Sequence, residues 1–509
     1  MTSGSAESVG LPKRGSLTKN LLHLGFGQVA TTVLTMLFSA AIARTLGASE
    51  FGLLYLLTSI ASFAHVFVDW GHGPFVTREV ALRPHRSGEL IGTVLVVRAV
   101  TAAIMALLSV AVTLLLRYDP RTSVLSGLLV LAWVPQYLGL SYSWIFRGRE
   151  RMEFDALLQV ALKFSALVVA LVILALGGRL VALVLGSAIS GGITLMVALL
   201  IYRQLGFPPM HVSSATAREL VRDGAPILAI SLVIAVQPSI DANILYKFVP
   251  QAVLGWHGTA WAIAGTLVAP ATILGAAMYP RLSRTAANPI AFRQALRTVF
   301  RPLLLVAVLG SGGTYLFADF AIGVVYGQEK FGPAADILRA FAPALILIYV
   351  DMLFSHAILA VHKAGDLAKA KVVAVIVTTA AEVGLVPWFQ AQTSNGAIGI
   401  VVALACGELV MLAASVSLIR DALHKAMVLD VLRVVAGGAV AIGVMRVIPP
   451  VTPFLGIPTF ILIFAATSIG VGSITRPDLE LLAASFRKDR GARSEEETVV
   501  DSIGPHSNV

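Results

Sequence analysis

The chain has 509 residues, of which 57% are hydrophobic and 13% charged, with a mean hydropathy of +0.85. A soluble chain carries about 25% charged residues, whereas the apolar residues here gather in blocks long enough to cross about 30 Å of hydrocarbon as helices. That excludes a soluble protein, and because the net charge of +10 sits in short loops between the blocks, it reads as membrane orientation and excludes a nucleic-acid partner.

The first twenty residues are polar and basic, with Lys13, Arg14 and Lys19, and the apolar run behind them is too long for a cleavable signal segment. The hydropathy pattern then predicts fourteen spans, at 20–43, 52–77, 90–116, 123–146, 155–176, 180–202, 223–248, 257–280, 298–318, 334–361, 370–389, 396–419, 433–448 and 457–475. Prolines 449, 450, 453 and 458 interrupt the last pair. The termini and alternate loops hold about 28 Lys and Arg, the remaining loops about 7, and about 3 lie within spans. The positive-inside rule therefore puts both termini in the cytoplasm, in a multi-pass protein of the inner (cytoplasmic) membrane.

Soluble material is scarce. The longest loop on the far side, near 319–333, has about fifteen residues, and the polar tail from 476 reads as disordered. No phosphate-binding G-x-x-x-x-G-K-[ST] loop, metal-ligand spacing or Ser-His-Asp arrangement is present. Cys406 stands alone, so no internal disulfide forms. The expectation is a protein that is not an enzyme and needs no cofactor or metal.

Sliding the sequence by 203 residues sets Arg44 on Lys247, Gly52 on Gly255 and Arg78 on Arg281, which overlays spans 1–2 on spans 7–8 in the same orientation. "GGRLVALVLGSAI" from 177 likewise resembles "NGAIGIVVALACG" from 395. The predicted organisation is a segment 1–19, a six-helix bundle over 20–222, a parallel six-helix bundle over 223–432, two further spans over 433–475, and the tail 476–509. Each polar residue in this apolar framework requires a reason.

A charge near the bilayer centre costs about 2.5–3.5 kcal/mol on insertion scales. Arg98 in span 3 and Lys163 in span 5 each lie about eight residues, roughly 12 Å, inside their helices. They either snorkel to the interface or face an aqueous lumen. Gln159 shares a face with Lys163. Gln28 begins a stripe with Thr31, Thr32, Thr35 and Ser39, and Gln237 stands one turn from Asp241 beside Pro238. The acids within spans are Asp69, Asp241, Asp351, Glu382 and Glu408. They serve ion or proton coupling, or else pair with Arg98 or Lys163. Asp69, Asp241, Asp351 and Glu408 are the coupling or gating candidates; Arg98, Lys163, Lys247, Gln28 and Gln159 are the lumen candidates.

The opening stretch reads Ala43, Arg44, Leu46, Gly47, Phe51, Gly52, then Asp69, Gly71, Thr77, Arg78, Glu79. It resembles the start of the polysaccharide-biosynthesis flippases, with their A-R-x-L-G-x-x-x-F-G pattern and later D-x-G and T-R-E. "VVYGQEKFGPAADILR" from 324 resembles that family's segment before span 10. The resemblance covers about ninety residues in sequence and the whole chain in topology. It implies an all-α fold of the multidrug/oligosaccharidyl-lipid/polysaccharide exporter superfamily, with two bundles around a central cavity and two peripheral helices.

The substrate implied is a polyprenyl-pyrophosphate-linked oligosaccharide, such as an O-antigen or exopolysaccharide repeat unit, turned from the inner to the outer leaflet by alternating access. Its partners would be membrane lipids and, further on, a polysaccharide polymerase and export machinery. Arg98, Lys163 and Lys247 would meet the pyrophosphate. Lipid II flippases of that superfamily concentrate several arginines in the front of the cavity. This chain has only Arg98 well inside span 3, which favours a polysaccharide repeat unit. The rival readings are a multidrug or cation exporter of the same superfamily and a membrane polysaccharide polymerase.

The stretch "VFVDWGHGPFVTRE" (66–79) divides under the repeat. Arg78, matched by Arg281, reads as a topological anchor. Pro74 and the glycines mark where the helix loosens. Asp69 has Thr272 as its counterpart and so stands alone.

Overall fold

The computed structural model describes residues 14–448 and 452–474, with side chains from Gln28 onward except that of residue 276. The tail from 476 lies outside the described residues. Among the described residues sixteen α-helices follow in order: α1 (Arg14–Asp69), α2 (His72–Leu82), α3 (Ser87–Leu115), α4 (Pro120–Ala132), α5 (Val134–Gly148), α6 (Met152–Ala175), α7 (Leu180–Gln204), α8 (Ser214–Phe248), α9 (Gln251–Thr285), α10 (Pro289–Val325), α11 (Gln328–Phe331), α12 (Ala334–Ala360), α13 (Ala364–Thr393), α14 (Ala397–Leu418), α15 (Lys425–Val447) and α16 (Pro453–Gly470).

Among the described residues, thirteen helical stretches are long and apolar enough to cross a membrane. The first of them, Gln28–Leu82, has 55 residues, far more than the roughly 20 that one crossing needs. Gly47 divides it. Its φ of 79° and ψ of 174° are open to glycine and closed to residues with a Cβ. The two arms that meet there correspond to predicted spans 1 and 2.

The second arm ends at Asp69. Trp70 (φ 48°) and Gly71 (φ 71°) are both left-handed, which stops one helix and starts α2. The close approach of α8 holds this break: the Trp70 indole donates to the Val221 carbonyl at 3.0 Å, and a Cβ on Gly71 would lie 2.8 Å from the Gly224 carbonyl oxygen. Pro74, expected to mark the loosening, instead sits in the first turn of α2, where a helix needs no backbone donor. Beyond α2, Arg86 is clasped by Glu79 (3.2 Å), Glu89 (3.2 Å) and Glu219 (3.1 Å), tying α2, α3 and α8 together.

Packing density separates two compact units. One holds the described residues up to Thr266 together with Asp319–Ala340 and Lys369–Val410; the other holds Leu267–Ala318, Phe341–Ala368 and the described residues from Met411 on. The first has a core of Val76, Val80, Leu90, Ile91, Tyr142 and Phe146. In the second, glycines let helices approach: a Cβ on Gly438 of α15 would lie 2.3 Å from Val308 of α10, and one on Gly312 of α10 2.6 Å from Phe460 of α16. Arg297 reaches Asp430 at 3.6 Å across the same packing.

Candidate functional site

The break after Asp69 frees its carboxylate to turn sideways, and it meets Arg98 of α3 at 2.5 Å. The guanidinium is 1% exposed. Its other amino group donates to the Tyr137 carbonyl (2.8 Å) and the Ser141 hydroxyl (2.5 Å) of α5, and the Trp144 ring lies 4.6 Å away. Of the two readings open for the intramembrane acids, coupling or pairing with Arg98 or Lys163, Asp69 takes the ion pair with Arg98. Tyr137, Ser141 and Trp144 recur at four and three residues on one helical face. That spacing marks a polar-aromatic stripe that could have been read from "QYLGLSYSW". The carboxylate side keeps an open edge, since the Asp69 side chain is 41% exposed against 2% for its partner.

A second polar centre forms on α8. The Gln237 amide donates to Asp241 one turn away (2.7 Å) and to Glu382 of α13 (2.8 Å), so two carboxyls stand side by side on one donor. Glu382 has no exposure, and Asp241 is 9% exposed. Enclosed carboxyls that share a donor require a positive charge between them, because two bare anions in low dielectric repel without relief. Sequence reasoning placed Glu382 among the intramembrane acids but outside the coupling set. Nothing in sequence spacing ties it to a residue 141 positions earlier.

At the opposite ends of the spans from the basic loops, the repeat-related segments meet. Gly52 packs on Gln251 and Gly255, while Gly255 packs on Ala48. Arg44 donates from Nε to the Val325 carbonyl at 2.9 Å and from a terminal nitrogen to that of Val324, capping α10. Lys247 donates to the Leu116 carbonyl, capping α3, and lies over the Tyr118 ring at 4.6 Å. The family-like segments around 43–52 and from 324 also come together here. Phe51 lies 6.4 Å from the Tyr326 ring and 6.0 Å from that of Phe331, and the Ser39 and Tyr326 hydroxyls are 3.2 Å apart.

The remaining candidates are dispersed. Lys163 is half-buried on α6 with no ion pair or hydrogen bond among the described residues, and Gln159 lies half-buried one turn before it. Gln28 is exposed, and its carbonyl takes the hydroxyls of Thr31 (3.0 Å) and Thr32 (2.8 Å), so these members of the stripe bond to their own helix. Asp351 is buried on α12 and accepts from Ser355 at 3.3 Å. Glu408 is half-buried on α14.

A model of the family described as "polysaccharide biosynthesis protein" matches residues 17–286, more than half of the chain. The chain belongs to this family. The matched region contains Arg44, Gly52, Asp69, Arg98, Lys163 and Asp241. A relative in Haloferax volcanii, named "Probable low-salt glycan biosynthesis flippase Agl15", is 21% identical over 398 residues, which is 76% of this chain and 80% of that protein. Among solved structures, the lipid II flippase MurJ in an inward closed conformation matches with a TM-score of 0.69 at 13% identity, covering 90% of this chain and 99% of that one. An inward-facing multidrug resistance transporter of the MATE family and MOP superfamily matches with a TM-score of 0.59 at 14% identity, covering 80% and 98%. These structural matches establish that this family member shares their polytopic helical fold. The named relatives are flippases and a transporter rather than enzymes.

Proposed function

We propose that the protein is a flippase that turns a polyprenyl-pyrophosphate-linked oligosaccharide repeat unit from the cytoplasmic to the outer leaflet, by alternating access of the bundles 20–222 and 223–432. Membership of the polysaccharide biosynthesis family carries this reading, and the glycan flippase among its relatives supports it. The substrate's glycan and diphosphate cannot enter hydrocarbon unaided, whereas its polyprenyl tail never has to leave it.

The geometry refines the roles. Lys163, half-buried with no ion pair or hydrogen bond among the described residues, is a cation free to receive a pyrophosphate, with Gln159 beside it. Arg98 is held by Asp69 and α5 through its two terminal nitrogens and fixes that acid in place. Lys247 is taken up by the end of α3. The Asp241–Gln237–Glu382 centre takes the coupling role and holds one positive charge, a proton or a monovalent cation.

Membrane vesicles of defined orientation test the reading. Lipid-linked oligosaccharide presented on the cytoplasmic leaflet should become accessible to a membrane-impermeant glycosidase on the other side, and only when the protein is present. Equal accessibility without the protein overturns the proposal. The buried carboxyl pair gives some support to a second reading, a cation exporter. Protein-dependent efflux of a lipophilic cation without glycan translocation would establish that one instead.

A further inference from the structure

The basic-loop end of the first unit carries a cavity that takes no part in the centres above. It has a volume of about 470 Å3 and is lined by Pro84, His85, Arg149, Arg151, Phe207 and Pro208. Three connections build it, those between α2 and α3, α5 and α6, and α7 and α8. Gly206 turns the last of these through a left-handed φ of 65°. Phe207 thereby stacks on Tyr202, with ring centres 5.0 Å apart, and the Tyr202 hydroxyl donates to the Pro208 carbonyl at 2.7 Å. The apolar wall is therefore fixed in place.

The cations stand on that wall. The Arg149 guanidinium lies 5.7 Å from the Phe207 ring centre and has no carboxylate or hydrogen-bond partner among the described residues. Arg151 rests 4.6 Å from the Phe154 ring and holds Glu153 at 2.5 Å. His85 is exposed and unpartnered among the described residues. Among the described residues no acid lines the cavity. A guanidinium laid on an aromatic face keeps its N–H fork free for a tetrahedral oxyanion, and the prolines and Phe207 offer apolar surface beside it.

We propose that this cavity binds a phosphate group. Its place at the loop ends of the spans, on the face that the positive-inside rule makes cytoplasmic, fits the phosphodiester of an anionic phospholipid headgroup. A free phosphate would satisfy the same cations, and the experiment separates the two sources.

The full-length protein would be reconstituted in nanodiscs of phosphatidylcholine mixed with phosphatidylglycerol, and its retained lipids read by native mass spectrometry. The wild type should retain phosphatidylglycerol in preference to phosphatidylcholine. The Arg149→Ala/His85→Ala variant should retain about tenfold less, the scale of one lost charge-assisted hydrogen bond. Arg149→Lys should recover part of the binding, and Arg218→Ala, an exposed arginine outside the cavity, should match the wild type. Displacement of the lipid by inorganic phosphate in the wild type, and not in the double variant, would support the site and assign it to a free anion. Equal retention of both lipids by the wild type, or equal phosphatidylglycerol retention by the double variant with an unchanged melting temperature, would overturn the proposal. The residues replaced are exposed, so loss of folding does not confuse the outcome.

Discussion

Gly52 and Gly255 meet backbone to backbone. A Cβ on Gly52 would lie 2.1 Å from the carbonyl oxygen of Gln251, and one on Gly255 would lie 2.1 Å from that of Ala48. The two glycines are 203 residues apart, and so are Ala48 and Gln251. The contact is thus reciprocal, each repeat offering the same patch to the other, as in an isologous two-fold interface. The cationic caps cross in the same sense at the level of helices, not residue for residue: Arg44 caps the end of α10, and Lys247, 203 residues on, caps the end of α3.

Valine at Gly52 or Gly255 should therefore wedge this junction apart. Overpacking costs about 1–3 kcal/mol, enough to shift a conformational equilibrium without unfolding the chain. Tyr55 lies at this junction, its ring 3.0 Å from where a Cβ on Gly258 would stand. In a Cys406→Ser background, a Tyr55→Cys reporter should react several-fold faster with an impermeant thiol reagent once the wedge is present. An unchanged rate in both valine variants would mean that the junction does not part.

Arg98→Ala should destabilise the fold, because it leaves Asp69 without the cation it faces. Breaking one side of a fully buried pair costs about 3–5 kcal/mol, and the 41% exposure of the Asp69 side chain lowers the cost here to about 1–3 kcal/mol. Asp69→Asn/Arg98→Met should be less damaging than Arg98→Ala, with the coupling between the positions read from a double-mutant cycle of melting temperatures in detergent.

Glu382→Gln and Asp241→Asn each remove one charge and keep a hydrogen-bonding group near Gln237. Both should fold normally and lose most gradient-driven transport. Titrating transport against a proton gradient and against a sodium gradient then identifies the occupant. A variant that still responds to both gradients as the wild type does would remove the coupling role.

Lys163→Ala should leave the folding stability within about 0.5 kcal/mol of the wild type, since no partner among the described residues is orphaned, and still abolish translocation. Lys163→Arg should retain part of the activity. Normal translocation by Lys163→Ala would exclude it as the pyrophosphate contact.

Hydropathy and loop charge alone determined that this is a polytopic helical membrane protein, because lipid leaves the backbone no alternative to helices in blocks of this length. The 203-residue offset that set Gly52 on Gly255 was also read from the sequence, and the structure brings those two glycines into contact. Gln237 and Asp241 were legible as a pair, being one helical turn apart. Only the tertiary structure decided which distant groups meet: Asp69 with Arg98, Asp241 with Glu382, Arg44 with the end of α10. A hydrophobic pattern fixes which residues enter the membrane, yet it is nearly blind to which face of each helix meets which neighbour. That choice rests on packing of small residues and on a few hydrogen bonds, and these hold their partners only once the helices have been brought together.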